Sequence, residues 1–211
     1  VPDFGMIAEI LLISFGFSNA VQLAGKIVAT FRLASEQLSL QAHYDFGMRA
    51  IKTVISAAGI LKRELDGIDE DLLVLRALEQ SNIAKFIPDD VPLFRAILSD
   101  LFPGVKPMSD HGEFLRGALV EAAIELGLEP FDEFLVKCEQ LHDVTKVRHG
   151  VMLVGPASSG KSSCYKTLAL ALTKLANAGK ADHGGVVFDV LNPKSITIGQ
   201  LYGDFNSLTR E

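Results

Sequence analysis

Between Ala24 and Leu141 apolar residues recur every three or four positions and almost never alternate, which predicts consecutive amphipathic helices. One seam runs Ala24, Ile27, Val28, Phe31 and Leu38, and a second runs Ala50, Val54, Ala57, Ala58 and Leu61. Asp69, Glu70 and Asp71 stand where a helix N-terminus favours negative charge, ahead of Leu72, Leu75 and Leu78, and Pro88 ends or redirects that segment. Leu93, Ile97, Leu98 and Leu101 then predict a short helix closed by Pro103-Gly104. Two further seams follow, Leu115, Ala118, Leu119, Ala122, Leu126 and Phe131, Leu135, Cys138, Leu141.

At Gly150 the period changes. Val151-Met152-Leu153-Val154 is a continuous apolar run bounded by Arg148-His149-Gly150 and a glycine turn, as for a parallel strand buried on both faces. A helix is expected from Lys161 to about Ala178, seamed by Leu168, Leu172 and Leu175, followed by a Gly184-Gly185 turn and a second apolar run. Two short parallel strands, at Val151 to Val154 and Val186 to Val190, would make this one right-handed βαβ unit. The turn inside it, Gly155-Pro156-Ala157-Ser158-Ser159-Gly160-Lys161-Ser162, matches the Walker A pattern. In such a loop backbone N–H groups surround a triphosphate, and glycines allow a close approach that a Cβ would block. Lys161 would face the β/γ-phosphates, the Ser162 hydroxyl would complete a Mg²⁺ shell, and Ser163 would add a phosphate contact. An ordinary glycine turn is the plain alternative. Asp189 is the one candidate for a metal-facing or substrate-facing carboxylate at the second strand's end, against an ordinary strand-end Asp.

Composition narrows the class. With 211 residues and 48% hydrophobic content the chain can build a real core. Its formal charge of −6 is uneven: residues 1–150 carry 14 Lys+Arg against 22 Asp+Glu, and residues 151–211 carry 6 against 4. That balance argues against a general nucleic-acid or anionic-membrane surface. The apolar stretch from Ile7 to Phe17 is interrupted by Glu9 and too short to span a bilayer. Cys138 and Cys164 form neither a disulfide framework nor a zinc set, which suits a reducing, cytosol-like compartment. His43 and His149 lack ligand partners at metal-binding spacing and read as structural. A chain that opens on Val1 and stops in mid-pattern reads as part of something longer.

Five stretches in order resemble the motor region of dynein heavy chains, at the junction of the first and second AAA+ modules. They are His43 to Ala50, Leu75-Arg76-Ala77-Leu78 with Asn82, Ser99 to Gly104, Val147 to Gly150, and Leu191 to Ser195 with Leu201-Tyr202-Gly203. The resemblance implies that residues 1–87 are the end of a first module, mainly its helical lid, and that residues 88–211 begin a second module. The implied fold class is an α/β fragment, mostly helical overall: a helical lid subdomain followed by the start of an α/β P-loop domain.

The same resemblance places Arg49 at the position of a sensor-two arginine, serving the phosphates of the preceding module's site. It places Phe102-Pro103-Gly104 beside the adenine of the second site. It implies ATP or ADP with Mg²⁺ as ligands, and neighbouring AAA+ modules, microtubules, and dynein intermediate and light chains as partners of the parent chain. An ATPase motor of the cytoplasmic cytoskeleton follows, more specifically of the axoneme in a cilium or flagellum. In such motors the first site does the main hydrolysis, while the second tends to hold ATP as a structural element. Taken from the residues alone, two alternatives stand beside this. One is a self-contained P-loop phosphotransferase with Asp189 near the acceptor and the helical lead as an accessory domain, which would need phosphate-facing arginines after the second strand, where only Arg210 is available. The other is a helical scaffold in which the βαβ unit merely packs.

Overall fold

The computed structural model describes residues 3–65, 67–105, 113–179, 184–203 and 205. The chain is predominantly helical. Helix α1 spans Phe4–Ser14, α2 Ala20–Gln37, α3 Met48–Glu64 and α4 Glu70–Asn82, the last running into a 3₁₀ turn at Ile83–Lys85. Helix α5 spans Asp90–Leu101, α6 Glu113–Glu125, α7 Asp132–Val147, α8 Lys161–Asn177 and α9 Ile198–Tyr202.

Local chemistry sets many of the ends. Asp3 accepts from the amides of Gly5 and Met6 at 2.9 and 3.2 Å and so starts α1. Asp69 caps α4, whose first turn carries Glu70 and Asp71. Thr197 and Gln200 form a capping box on α9. Helix α2 lacks a side-chain cap of its own. Instead the Glu70 carboxylate reaches across from α4 and accepts from Ser18 N at 2.8 Å and Asn19 N at 2.9 Å, while Lys62 of α3 donates to the same carboxylate at 2.5 Å.

Two apolar clusters organise the helices. The first joins α1 to α5 and includes Leu12, Ile27, Phe31, Val54, Ala58, Leu78, Phe94, Leu98 and Phe102. Both N-terminal seams read from the sequence face it, with Val28 partly covered and the rest buried. The second joins α6, α7 and α8 through Leu115, Leu119, Ala122, Leu135, Cys138, Leu141, Cys164, Leu168 and Ala171. Helix α7 also packs on α3 and α4, so it bridges the two clusters. Helix α5 lies on α2. Its Asp90 accepts from Ser39 Oγ at 2.5 Å and Tyr44 Oη at 2.8 Å, and its Phe102 end lies beneath Lys26, with Nζ 4.7 Å from the ring centroid.

The two expected strands are a correction. Val151 to Val154 and Val186 to Val190 lie among the described residues, and no strand is formed there. Exposure does alternate with period two: Val151 and Leu153 are half-covered while Met152 and Val154 are each 87% exposed. A strand needs a hydrogen-bonded neighbour, and these two segments do not supply one to each other. The helical part of the expected fold class is therefore present, and the α/β start that the resemblance implies is not shown among the described residues.

Candidate nucleotide-binding loop

The chain turns sharply between Val154 and α8. Ser158 adopts φ +62°, left-handed for a residue with a Cβ, and Gly160 follows at φ +82° as the residue preceding the helix. A Cβ on Gly155 would lie 2.9 Å from Ser159 Oγ, so glycine is needed there for space rather than for φ. The first intrahelical bond of α8 runs from Cys164 N to Gly160 O at 2.9 Å. The amides of Lys161, Ser162 and Ser163 thus precede the helical ladder, no side chain caps them, and the first turn holds no acidic residue. Such a terminus favours an anion.

Lys161 folds back over the loop. Its Nζ donates to Gly155 O at 2.9 Å and Pro156 O at 2.5 Å, with Ser159 Oγ at 3.4 Å. Pro156, Ala157, Ser158 and Ser159 are exposed around it, Ser162 presents its side chain to solvent, and Ser163 is half-buried. The donor set fits a magnesium-bound polyphosphate: helix-terminal amides, one ammonium and one reachable hydroxyl. Among the described residues no group of three or more His, Cys, Asp or Glu could hold a metal by itself.

Two contacts that the sequence did not reveal hold the following segment against α8. Val186 N donates to Thr173 Oγ1 at 3.0 Å, and Phe188 meets Tyr165 edge to face at 5.3 Å. A hydroxyl and a ring eight residues apart on one helix carry no signature of a docked neighbour. Asp189 follows on the same segment and is exposed.

The other sequence candidates lie elsewhere. Arg49 is the second residue of α3, exposed, and among the described residues no carboxylate pairs with it. Asp45, four residues earlier, accepts from Gly47 N at 3.0 Å. Helix α3 packs on α1, α2, α4 and α7, whereas α8 packs on α6 and α7. Phe102 is 1% exposed within the first cluster, and Pro103 and Gly104 are exposed beyond it, with Gly104 at φ +78°. His43 Nε2 bonds to Lys85 O at 2.9 Å and its ring packs on Tyr44, which gives it a structural place. His149 is exposed. Arg210 lies outside the described residues.

Comparison with known proteins matches residues 1–162 to the family described as the hydrolytic ATP binding site of dynein motor region. Dynein axonemal heavy chain 1 of Homo sapiens is 54% identical over 214 residues, and dynein axonemal heavy chain 3 of Mus musculus is 50% identical over 212. Dynein axonemal heavy chain 6 of Homo sapiens is 47% identical over 214. Each alignment takes in 100% of this chain and 5% of the relative. A family match over residues 1–162 and a likeness that runs the whole length of the chain lead to one conclusion: the chain belongs to the dynein heavy-chain motor family.

Proposed function

We propose that this chain is a segment of an ATP-driven, dynein-type motor. In this reading it binds ATP or ADP with Mg²⁺ at residues 155–163 and lends Arg49 to the ATP site of the preceding AAA+ module. The observation that carries the first part is the Gly160 turn into an uncapped helix terminus with Lys161 folded across it. Nucleotide binding exchanges the carbonyl partners of the Lys161 ammonium for phosphate oxygens, and the free first-turn amides of α8 receive the same oxygens. Ser162 Oγ would hold Mg²⁺, which when bound neutralises charge on the β/γ-oxygens. The exposure of Arg49 on a helix apart from α8 supports its service to a different nucleotide. Pro103 and Gly104 would border the adenine through their exposed backbone, with Phe102 anchoring them from below.

In the same reading, residues 1–87 complete one module and residues 88–211 open the next. The neighbouring modules, and through the complete motor microtubules and the intermediate and light chains, are the partners. The three relatives named above are axonemal, which supports an axoneme in a cilium or flagellum as the place of work.

The test is Lys161→Ala in a chain carrying the whole second module. Removing the ammonium from a pocket of neutral N–H donors should weaken Mg·ATP binding by about 1.5–3 kcal/mol, the scale of a hydrogen bond to a charged group. Unchanged ATP affinity in the folded variant would overturn the assignment.

A further inference from the structure

Ser39, in the connection between α2 and α3, joins a polar network that the nucleotide loop does not touch. Its Oγ donates to Asp90 Oδ2 at 2.5 Å and accepts from Gln41 Nε2 at 3.2 Å, and its amide donates to Asp90 Oδ1 at 3.3 Å. Tyr44 Oη donates to the same carboxylate at 2.8 Å and accepts from Ile87 N at 2.9 Å. Asp90 is the first residue of α5 and is buried. The Ser39 hydroxyl is the main cause that holds its carboxyl below the usual range, against burial and with help from Tyr44 and the Ser39 amide. Among the described residues no lysine or arginine is paired with this carboxylate, so neutral donors carry its charge.

The chain around the hydroxyl is open. Helix α2 ends at Gln37, Leu38 is extended at φ −78° and ψ 164°, and α3 begins only at Met48. Ser39 is half-buried, while Glu36, Gln37, Ala42 and His43 are exposed. Leu40 is 98% exposed, an apolar side chain that no described residue covers. A carboxylate three positions before a hydroxyl and a bare leucine one position after it give a kinase groove two side chains to grip, on a stretch that need not be unwound from a helix. We propose that Ser39 is a phosphorylation site for a kinase that reads an acidic residue three positions ahead, and that the phosphate releases the start of α5 from the α2–α3 connection.

In the transfer, Ser39 Oγ attacks the γ-phosphorus of the kinase's ATP, the bond from that phosphorus to the β,γ-bridging oxygen breaks, and ADP leaves. The hydroxyl proton passes to the kinase's carboxylate base. The phosphoester oxygen has no hydrogen to give, so Asp90 loses its shortest bond. In its place stands a group of charge about −1.5 to −2, facing a carboxylate with no cation to absorb it, which is the arrangement in which phosphorylation disrupts. Neither step depends on what residues 155–163 bind.

The intact heavy chain is incubated with casein kinase 1, a kinase of that preference, and ATP, and tryptic peptides are sequenced by mass spectrometry. The peptide Leu33–Arg49 should gain one phosphate, placed by fragmentation on Ser39. Ser35 in the same peptide is an internal control, since its hydroxyl donates to Arg32 O within α2 at 2.7 Å. Glu36→Gln should slow the incorporation several-fold. No phosphate on the folded chain, phosphate on Ser35 instead, or an unchanged rate in Glu36→Gln would overturn the site. Amide hydrogen exchange then reads the release: in the phosphorylated chain the first turn of α5 should exchange several-fold faster, with α8 unchanged. Ser39→Ala, which loses the bond without gaining charge, should give a smaller rise that salt does not alter, whereas added salt should shrink the effect of the phosphate. Phosphorylated Ser39 with α5 exchanging as in the parent, or no faster than in Ser39→Ala, would overturn the release.

Discussion

Glu70 shows how much one side chain can organise. Its carboxylate receives two amides ahead of α2, the Lys62 ammonium of α3, and belongs itself to the first turn of α4. Burial alone would raise its pKa, but the Lys62 bond and the Asn19 and Ser18 amides outweigh burial, and the net shift is downward. The folded state therefore prefers the charged form. That contribution is complete above the ordinary value of 4.5 and is lost as pH falls through the lower folded value. Glu70→Gln should cost about 1–2 kcal/mol at pH 7, the scale of a lost N-cap, and the gap from the parent should close as unfolding is repeated below pH 4.5. A gap that stays constant or widens in acid would refute this account. From the sequence Glu70 reads only as a first-turn acid, which it is. Its larger role was hidden because Ser18 and Asn19 stand 52 and 51 positions away, and nothing local in a sequence encodes such a meeting.

At the scale of elements, one close contact between two helices depends on the absence of a side chain. A Cβ on Gly59 of α3 would lie 2.3 Å from the Phe15 ring at the end of α1. The Arg63 guanidinium lies over the same ring, 5.8 Å from its centroid. Gly59→Ala gains about 1 kcal/mol of helix propensity but overpacks the contact, at about 1–3 kcal/mol. A lowered Tm is expected, and Phe15→Leu in the same chain should recover part of the loss. A Gly59→Ala protein at least as stable as the parent would show that the ring yields freely. Helix periodicity made the existence and order of α2 to α8 readable, down to a start of α8 at Lys161. Phase was harder. The sequence seam of α4 ran through Leu72, but Leu73 and Val74 are buried and Leu72 is half-exposed, because in a helix so rich in leucine several faces look alike. The strands failed for another reason: Val151 to Val154 has the composition of a strand, but pairing is a property of two segments and cannot be read from one.

Over the whole molecule, Arg49 and Lys161 belong to different clusters of helices, and this separation gives the two-site reading its sharpest test. In a longer heavy chain, Arg49→Ala should slow turnover at the preceding module's site and leave ATP retention at the Lys161 loop largely intact, measured by single-turnover hydrolysis and nucleotide release. Equal damage at both sites would sink it. The loop itself was plain in the sequence, since glycine, lysine and serine at fixed spacing before a helix act through local backbone geometry. Arg49 was assigned through the resemblance alone, because an exposed helical arginine looks the same whatever it serves.

Helix α5 follows Pro88, where the proposed second module opens, yet it is packed into the first cluster. One end is keyed by Asp90 to Ser39 and Tyr44, and the other is wedged as a ring beneath Lys26. The consequence is mechanical. Attachments at both ends, with Phe94 and Leu98 gripping between them, mean that a pull along the axis of α5 loads every contact at once, in shear, instead of peeling them away in turn. If the chain carries tension between its two halves, α5 is the cleat that transmits it.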